Sequence, residues 1–229
     1  MNVVIFGASG MVGHGALIEC LDDPDVRRVV SVVRRPTGVT HAKLTEIVHP
    51  DFLDYTAIEP ALHDADACFF CLGVSSAGMK EEAYRHVTYD FTLAAAKTLH
   101  RLNPKLAFIY VSGAGTDSSE KGRSMWARVK GKTENDLLKL FERAYMFRPG
   151  YIHAEKGVVS RTGWVRVASA VLRPVGVVLK RFPGIGTSTD VLGRAMIAAV
   201  RSGAPSRVVG IRDINALGTA RPTATAASG

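Results

Sequence analysis

Three glycines recur at every third position near the start of the chain, in Gly7-Ala8-Ser9-Gly10-Met11-Val12-Gly13, directly after the apolar run Val3-Val4-Ile5-Phe6. Gly7 permits a tight turn, Gly10 lets an anionic group approach the backbone, and Gly13 lets a helix pack closely on a strand. A helix beginning near Met11 aims its free N–H groups and positive end at the same spot. The chemistry this pattern suits is gripping the diphosphate of a dinucleotide, with Ser9, Met11 and Val12 completing the cradle.

The next strand says which dinucleotide. A site selective for NAD carries Asp or Glu about 20 residues beyond the turn, to bind the ribose 2′-hydroxyl. Here the region reads Ser31-Val32-Val33-Arg34-Arg35-Pro36, without an acid. A guanidinium pairs with a 2′-phosphate through charge-assisted hydrogen bonds. NADP(H) is therefore expected over NAD(H), with Arg34 the first choice of partner and Arg35 the second. Two further segments are expected at the cofactor: His49-Pro50-Asp51-Phe52, where Asp51 suits an adenine amino group and Phe52 adjoins it, and Cys71-Leu72-Gly73, where Leu72 and Gly73 bring backbone close.

These residues need a scaffold that presents them on one edge. Val3 to Phe6, Val29 to Val33, Thr45 to Val48, Ala67 to Leu72, Leu106 to Val111 and Tyr145 to Phe147 are short apolar runs bounded by turn signals, the mark of strands buried on both faces of a parallel sheet. Met11 to Leu21, Met79 to Leu102 and Arg123 to Phe141 between them have helical length and composition. The alternation predicts an α/β fold with a Rossmann-like doubly wound parallel sheet. Beyond Gly150 a small substrate cap from about residue 151 is expected, including Trp164 to Phe182, then a helix over Thr187 to Val200, a last strand over Arg207 to Ile214, and a frayed tail from 215 to 229. The chain is read as one NAD(P)-binding domain over residues 1–214.

Composition agrees with a globular protein: of 229 residues, 47% are hydrophobic and 22% charged, which excludes a disordered, collagen-like or coiled-coil chain. A net charge of +8 favours anionic ligands without choosing among them. Three cysteines are too few for a disulfide framework, and no signal-peptide pattern precedes Val3, so a cytoplasmic protein is expected.

Taken together, the glycine turn, Val33-Arg34-Arg35-Pro36, Cys71-Leu72-Gly73, Val111-Ser112-Gly113-Ala114, the run Ala127 to Glu134 and Phe147-Arg148-Pro149-Gly150 resemble the atypical short-chain dehydrogenase/reductase superfamily. Its branch of Tat-interacting oxidoreductase-like proteins is the most similar, with the NAD-dependent epimerase/dehydratase proteins as neighbours. The resemblance implies a Ser–Tyr–Lys set, in which Ser orients the substrate oxygen, Tyr moves the proton, and Lys holds the nicotinamide ribose. Ser112 and Lys130 match, and Pro149 would border the nicotinamide. Where the tyrosine belongs, four residues before Lys130, stands Trp126, whose indole donates a hydrogen bond but relays no proton at neutral pH. Tyr151 is the substitute donor named here, with Tyr84, His86 and Tyr89 as weaker candidates.

The expected function is an NADP(H)-binding oxidoreductase or epimerase-like enzyme acting on a small carbonyl, hydroxyl or sugar-nucleotide-like substrate. The alternative, kept open by Trp126, is a non-catalytic NADP(H)-binding redox sensor or regulatory protein. Cys68-Phe69-Phe70-Cys71 spells C-x-x-C, but residues three apart on a strand point to opposite faces, so buried structural thiols are expected. No metal-ligand spacing is present, and no metal is expected. Arg166, Arg173 and Lys180 recur at sevens, yet Pro174 breaks the helix they would need, which favours a cap over a membrane surface. The cations between Lys121 and Lys132 lack interleaved stacking aromatics, so no nucleic-acid partner is expected. A homodimer is expected by analogy alone.

Overall fold

The computed structural model describes residues 1–154 and 186–220. Nine strands are named here: β1 (Asn2–Phe6), β2 (Arg28–Val33), β3 (Leu44–Val48), β4 (Ala67–Phe70), β5 (Ala107–Val111), β6 (Ala144–Arg148), β7 (Tyr151–His153), β8 (Gly186–Ser188) and β9 (Val208–Gly210). The helices are α1 (Met11–Asp22), α2 (Glu59–Leu62), α3 (Glu81–Arg85), α4 (Phe91–Leu102), α5 (Met125–Leu140), α6 (Thr189–Ser202) and α7 (Ile211–Thr219). Seven strands form one parallel sheet in the order β3-β2-β1-β4-β5-β6-β9, and β7 pairs with β8 in a separate parallel ribbon.

Strand alternation divides the core. Val3, Ile5, Phe69, Ile109 and Phe147 meet α1 and α6 through Ala16, Leu17, Leu192 and Met196. Val4, Phe6, Phe70, Phe108 and Met146 meet α4 and α5 through Ala96, Leu99 and Leu137. Both faces are thus covered, which is why the strands read as continuous apolar runs rather than as alternating ones. Cations tie down the helix C-termini: Lys43 Nζ donates to Leu21 O at 2.9 Å and Asp23 O at 2.7 Å, and an Arg143 amine donates to Val200 O at 2.6 Å. An Arg207 amine donates to Leu138 O at 2.6 Å and Phe141 O at 2.5 Å. Each satisfies carbonyls that the helix leaves without a partner and sits at the negative end of the dipole.

Three expectations need correction. The segment Arg207 to Ile214 is a strand only at β9, because Gly210 turns the backbone into the N-cap of α7 and Ile214 is buried as a helical residue. The tail expected from 215 does not start there, since α7 runs to Thr219 and Gly218 lies against the Val191 backbone. The helix expected over Met79 to Leu102 begins at Glu81 and widens into a π turn over His86–Asp90 between α3 and α4. Within the cap, Trp164 to Phe182 and its cations lie outside the described residues, as do residues 221–229.

Candidate functional site

The strand order reverses between β1 and β4, and the crevice beyond their carboxyl ends is where such sheets bind ligands. There β1 runs into the glycine turn. Gly7 has φ +83°, and a Cβ on it would stand 2.7 Å from Leu72 N, so the exits of β1 and β4 touch. A Cβ on Gly13 would overlap the Gly7 carbonyl oxygen. Gly10 N donates to Gly7 O at 2.9 Å and the first helical bond is His14 N to Gly10 O at 2.8 Å. The N–H groups of Met11, Val12 and Gly13 lie ahead of that bond, and the first turn of α1 carries no acidic residue. Ser9 and Gly10 are exposed. A cradle of free amides at an uncompensated positive helix end, with no room for side chains, fits a diphosphate.

Arg34 and Arg35 follow β2 directly and are exposed at the same carboxyl edge. Asp51 is exposed, and its Oδ1 accepts from Leu53 N at 2.8 Å. Phe52 does not join it. At 3% exposure its ring lies in an aromatic cluster with Phe6, Tyr55 and Phe91, so the expected contact of its side chain with a cofactor is corrected to a core role. Gly73 has nothing within 4 Å of its would-be Cβ, and Leu72 is half-buried.

The other half of the crevice lies beyond β5 and β6. Ser112 is 8% exposed, and its hydroxyl donates to Phe147 O at 3.1 Å. To donate to a substrate oxygen it must turn away from that carbonyl. One turn into α5, Lys130 Nζ donates to Ser112 O at 2.5 Å and stands 5.8 Å from the centre of the Tyr110 ring. Burial pulls the Lys130 pKa down to about 8, against the opposing pull of the Glu134 carboxylate. Glu134 lies a further turn along α5, with its side chain 1% exposed, and is bound by Arg148 Nε at 3.0 and 3.2 Å and by a terminal Arg148 amine. Arg148 also donates to Ser118 Oγ at 2.6 Å. Pro149 is buried, and its carbonyl accepts from Ala114 N at 2.9 Å, which ties the β6 exit to the loop after Ser112.

Trp126 is half-buried, and its indole edge would stand 3.4 Å from a Cβ on Gly115, which has φ +85°. The ring therefore covers the loop that leaves Ser112. Tyr151 is 40% exposed on β7, beside Gly186. Tyr84 is buried. His86 Nδ1 lies 3.3 Å from an Asp90 carboxylate oxygen, and Tyr89 donates to Asp136 at 2.8 Å. Tyr89 lines a crevice of about 150 Å³ with Arg85, Arg128 and Lys132, and neither Ser112 nor Lys130 lines it. The weaker donor candidates are thus engaged elsewhere.

Sequence reasoning missed Tyr110, Glu134 and Arg148 around Lys130. Only the four-residue spacing of Lys130 and Glu134 on one helix face signalled any of them. Cys20 and Cys68 are buried and Cys71 is half-buried; burial raises all three thiols, Cys71 to about 12. No group of His, Cys, Asp and Glu suited to a metal ion occurs among the described residues.

A family model described as NAD(P)H-binding matches residues 7–144. The chain belongs to that NAD(P)H-binding family. Among curated relatives, "Protein fmp52, mitochondrial" of Emericella nidulans is 30% identical over 207 residues, covering 86% of each chain. The protein of the same name from Eremothecium gossypii is 31% identical over 159 residues, 68% of each. These names overturn the expectation of a cytoplasmic protein, since several relatives are called mitochondrial. Among solved structures, the Bordetella bronchiseptica enzyme WbmF in complex with NAD+ and UDP matches with TM-score 0.68 at 17% identity, covering 92% of this chain and 71% of that one. A UDP-glucose 4-epimerase from Thermotoga maritima matches with TM-score 0.63 at 15% identity, covering 87% and 73%. The NAD(P)-binding Rossmann fold is thus shared with the NAD-dependent epimerase and dehydratase group.

Proposed function

We propose that this NAD(P)-binding protein is an NADP(H)-dependent oxidoreductase or epimerase-like enzyme acting on a small carbonyl, hydroxyl or sugar-nucleotide-like substrate. The observation that carries the reading is Lys130: a half-buried ammonium held against Ser112 O at the carboxyl edge of β5, where desolvation disfavours its charge, a costly arrangement in a site without function. When bound, the dinucleotide supplies or accepts hydride at its nicotinamide. Met11, Val12 and Gly13 N–H groups hold the diphosphate, Ser9 caps it, and Arg34 with Arg35 takes the 2′-phosphate. Asp51 accepts from the adenine amino group, and Leu72 and Gly73 pass beside the dinucleotide. Lys130 holds the nicotinamide ribose and biases the local field, while Pro149 borders the ring. Ser112 orients the substrate oxygen once its hydroxyl leaves Phe147 O, and Tyr151 or a water moves the proton at that oxygen.

Trp126 supports a second reading: with no proton relay one turn before Lys130, the same residues serve a sensor that binds NADP(H) and reports its state. Fluorescence titration is expected to show tighter binding of NADPH than of NADH; equal affinities would remove the arginine argument. A panel of aldehydes, ketones and sugar nucleotides, followed by loss of reduced-nicotinamide absorbance, then separates the readings. Turnover that disappears in Lys130→Ala favours the enzyme. Binding without turnover that Trp126→Tyr converts into turnover favours the sensor.

A further inference from the structure

The loop that carries Arg34 and Arg35 is fastened at one point. Thr37 N donates to both Glu46 carboxylate oxygens, at 3.0 and 3.1 Å, and Thr37 Oγ1 donates to Oε2 at 2.5 Å. Val39 N in turn donates to Thr37 Oγ1 at 3.3 Å, across Gly38 at φ +82°. Glu46 is half-buried on the edge strand β3, paired in register with Ser31 of β2, so its carboxylate reaches the loop from a rigid element. Among the described residues, no hydrogen bond or ion pair joins Arg34 or Arg35 to another side chain, although Thr37, two residues past Arg35, is bonded to a carboxylate. Glu46 is occupied by three donor contacts from Thr37 rather than by a guanidinium.

From this arrangement we infer that Glu46 is a positioning residue for coenzyme choice: through Thr37 it fixes the Arg34-Arg35 loop where a 2′-phosphate would lie, and leaves both guanidiniums free to meet it. The inference rests on the NADP(H) reading above. Two exposed arginines on an untethered loop lose backbone and side-chain freedom when they close on a phosphate. A loop already pinned loses less, and the saving appears as affinity for the ligand that carries the phosphate. NADH lacks that group and gains nothing from the brace. An opposite role is physically available, since a carboxylate near a phosphate repels it, and the two roles differ in the sign of their effects.

The test uses fluorescence titration of the full chain with NADPH and with NADH, in the wild type, Glu46→Ala, Glu46→Gln, Thr37→Val and the double variant Arg34→Ala/Arg35→Ala. Glu46→Ala is expected to weaken NADPH about tenfold, which is about 1.4 kcal/mol, and to change NADH less than twofold. Glu46→Gln keeps an acceptor for Thr37 N–H and offers its amide to Thr37 Oγ1, so it is expected to hold NADPH within about threefold of the wild type. Thr37→Val, which keeps the backbone contact, is expected to fall between them and serves if Glu46→Ala fails to fold. Tighter NADPH binding in both Glu46 variants would overturn the brace in favour of repulsion. Equal weakening of both coenzymes, or an unchanged ratio in Glu46→Ala, would overturn it as well. A wild type without NADPH preference, insensitive to loss of both arginines, would overturn the NADP(H) reading itself; a preference lost with the arginines but not with Glu46 would overturn only the brace.

Discussion

Lys130 should make the protein less stable than it could be, and the deficit can be measured without knowing a substrate. The unfolded chain keeps this lysine protonated up to its usual 10.5, whereas burial lets the folded chain keep it protonated only up to about 8. Between those values the unfolded state holds the extra proton, so raising the pH favours folding; below about 8 the full cost of the buried charge is present. Each pH unit of displacement is worth about 1.4 kcal/mol, which puts the cost near 3 kcal/mol at pH 7. Lys130→Met removes the charge and keeps the length of the side chain. It gives up the hydrogen bond to Ser112 O, worth about 1 kcal/mol net. A net gain of about 2 kcal/mol remains, or about 5 °C in Tm for a chain of this size.

The assay is thermal or urea unfolding of the ligand-free protein from pH 6 to 10.5, wild type against Lys130→Met. The variant should be the more stable at pH 7, and the difference should shrink as the pH rises through 8. The same substitution should weaken NADPH binding by about tenfold or more, the trade expected where a site keeps a group that folding alone would discard. A variant less stable than wild type at pH 7, or a difference that does not depend on pH, would refute the reasoning, because the ammonium would then be no burden to the fold.

Other consequences follow from neighbouring groups. The thiols of Cys20, Cys68 and Cys71 are raised by burial, so above pH 9 the unfolded chain loses these protons first and stability falls; Cys20→Ala/Cys68→Ala should flatten that decline in pH-dependent urea unfolding. Gly13→Ala forces a methyl into the Gly7 carbonyl and should abolish NADPH binding and lower Tm by several degrees, while Gly210→Ala, with nothing within 4 Å of the new Cβ, should change Tm by less than about 2 °C. Glu134→Gln leaves the Arg148 guanidinium without its carboxylate and should cost about 3 kcal/mol in urea unfolding.

What could be read from residues alone was whatever local sequence dictates. The glycine turn, the apolar strands and the helix at Met11 each follow from steric or burial rules that act within a few residues, and all stand in the structure. The errors fall where two rules competed locally. Val208-Val209-Gly210-Ile211 continues as a strand by composition, yet the ladder stops at Gly210, which is the N-cap of α7. Asp51 and Phe52 stand side by side after β3, but in the bend there Asp51 is left in solvent while the larger apolar ring enters the core.

The residues that support the site were illegible for a different reason. Arg148 reaches Glu134 across 14 residues and Thr37 reaches Glu46 across 9, so each pair depends on which helix or strand lies beside which, a relation no window of sequence contains. The two braces share a logic. In each, a carboxylate on a regular element accepts from donors in or just past a strand: Glu134 on α5 from Arg148, and Glu46 on β3 from Thr37. Neutral donors such as those of Thr37 leave the charge of Glu46 in place, so what the two contacts share is geometry: each ties a segment that leaves a strand to the helix or strand packed beside it.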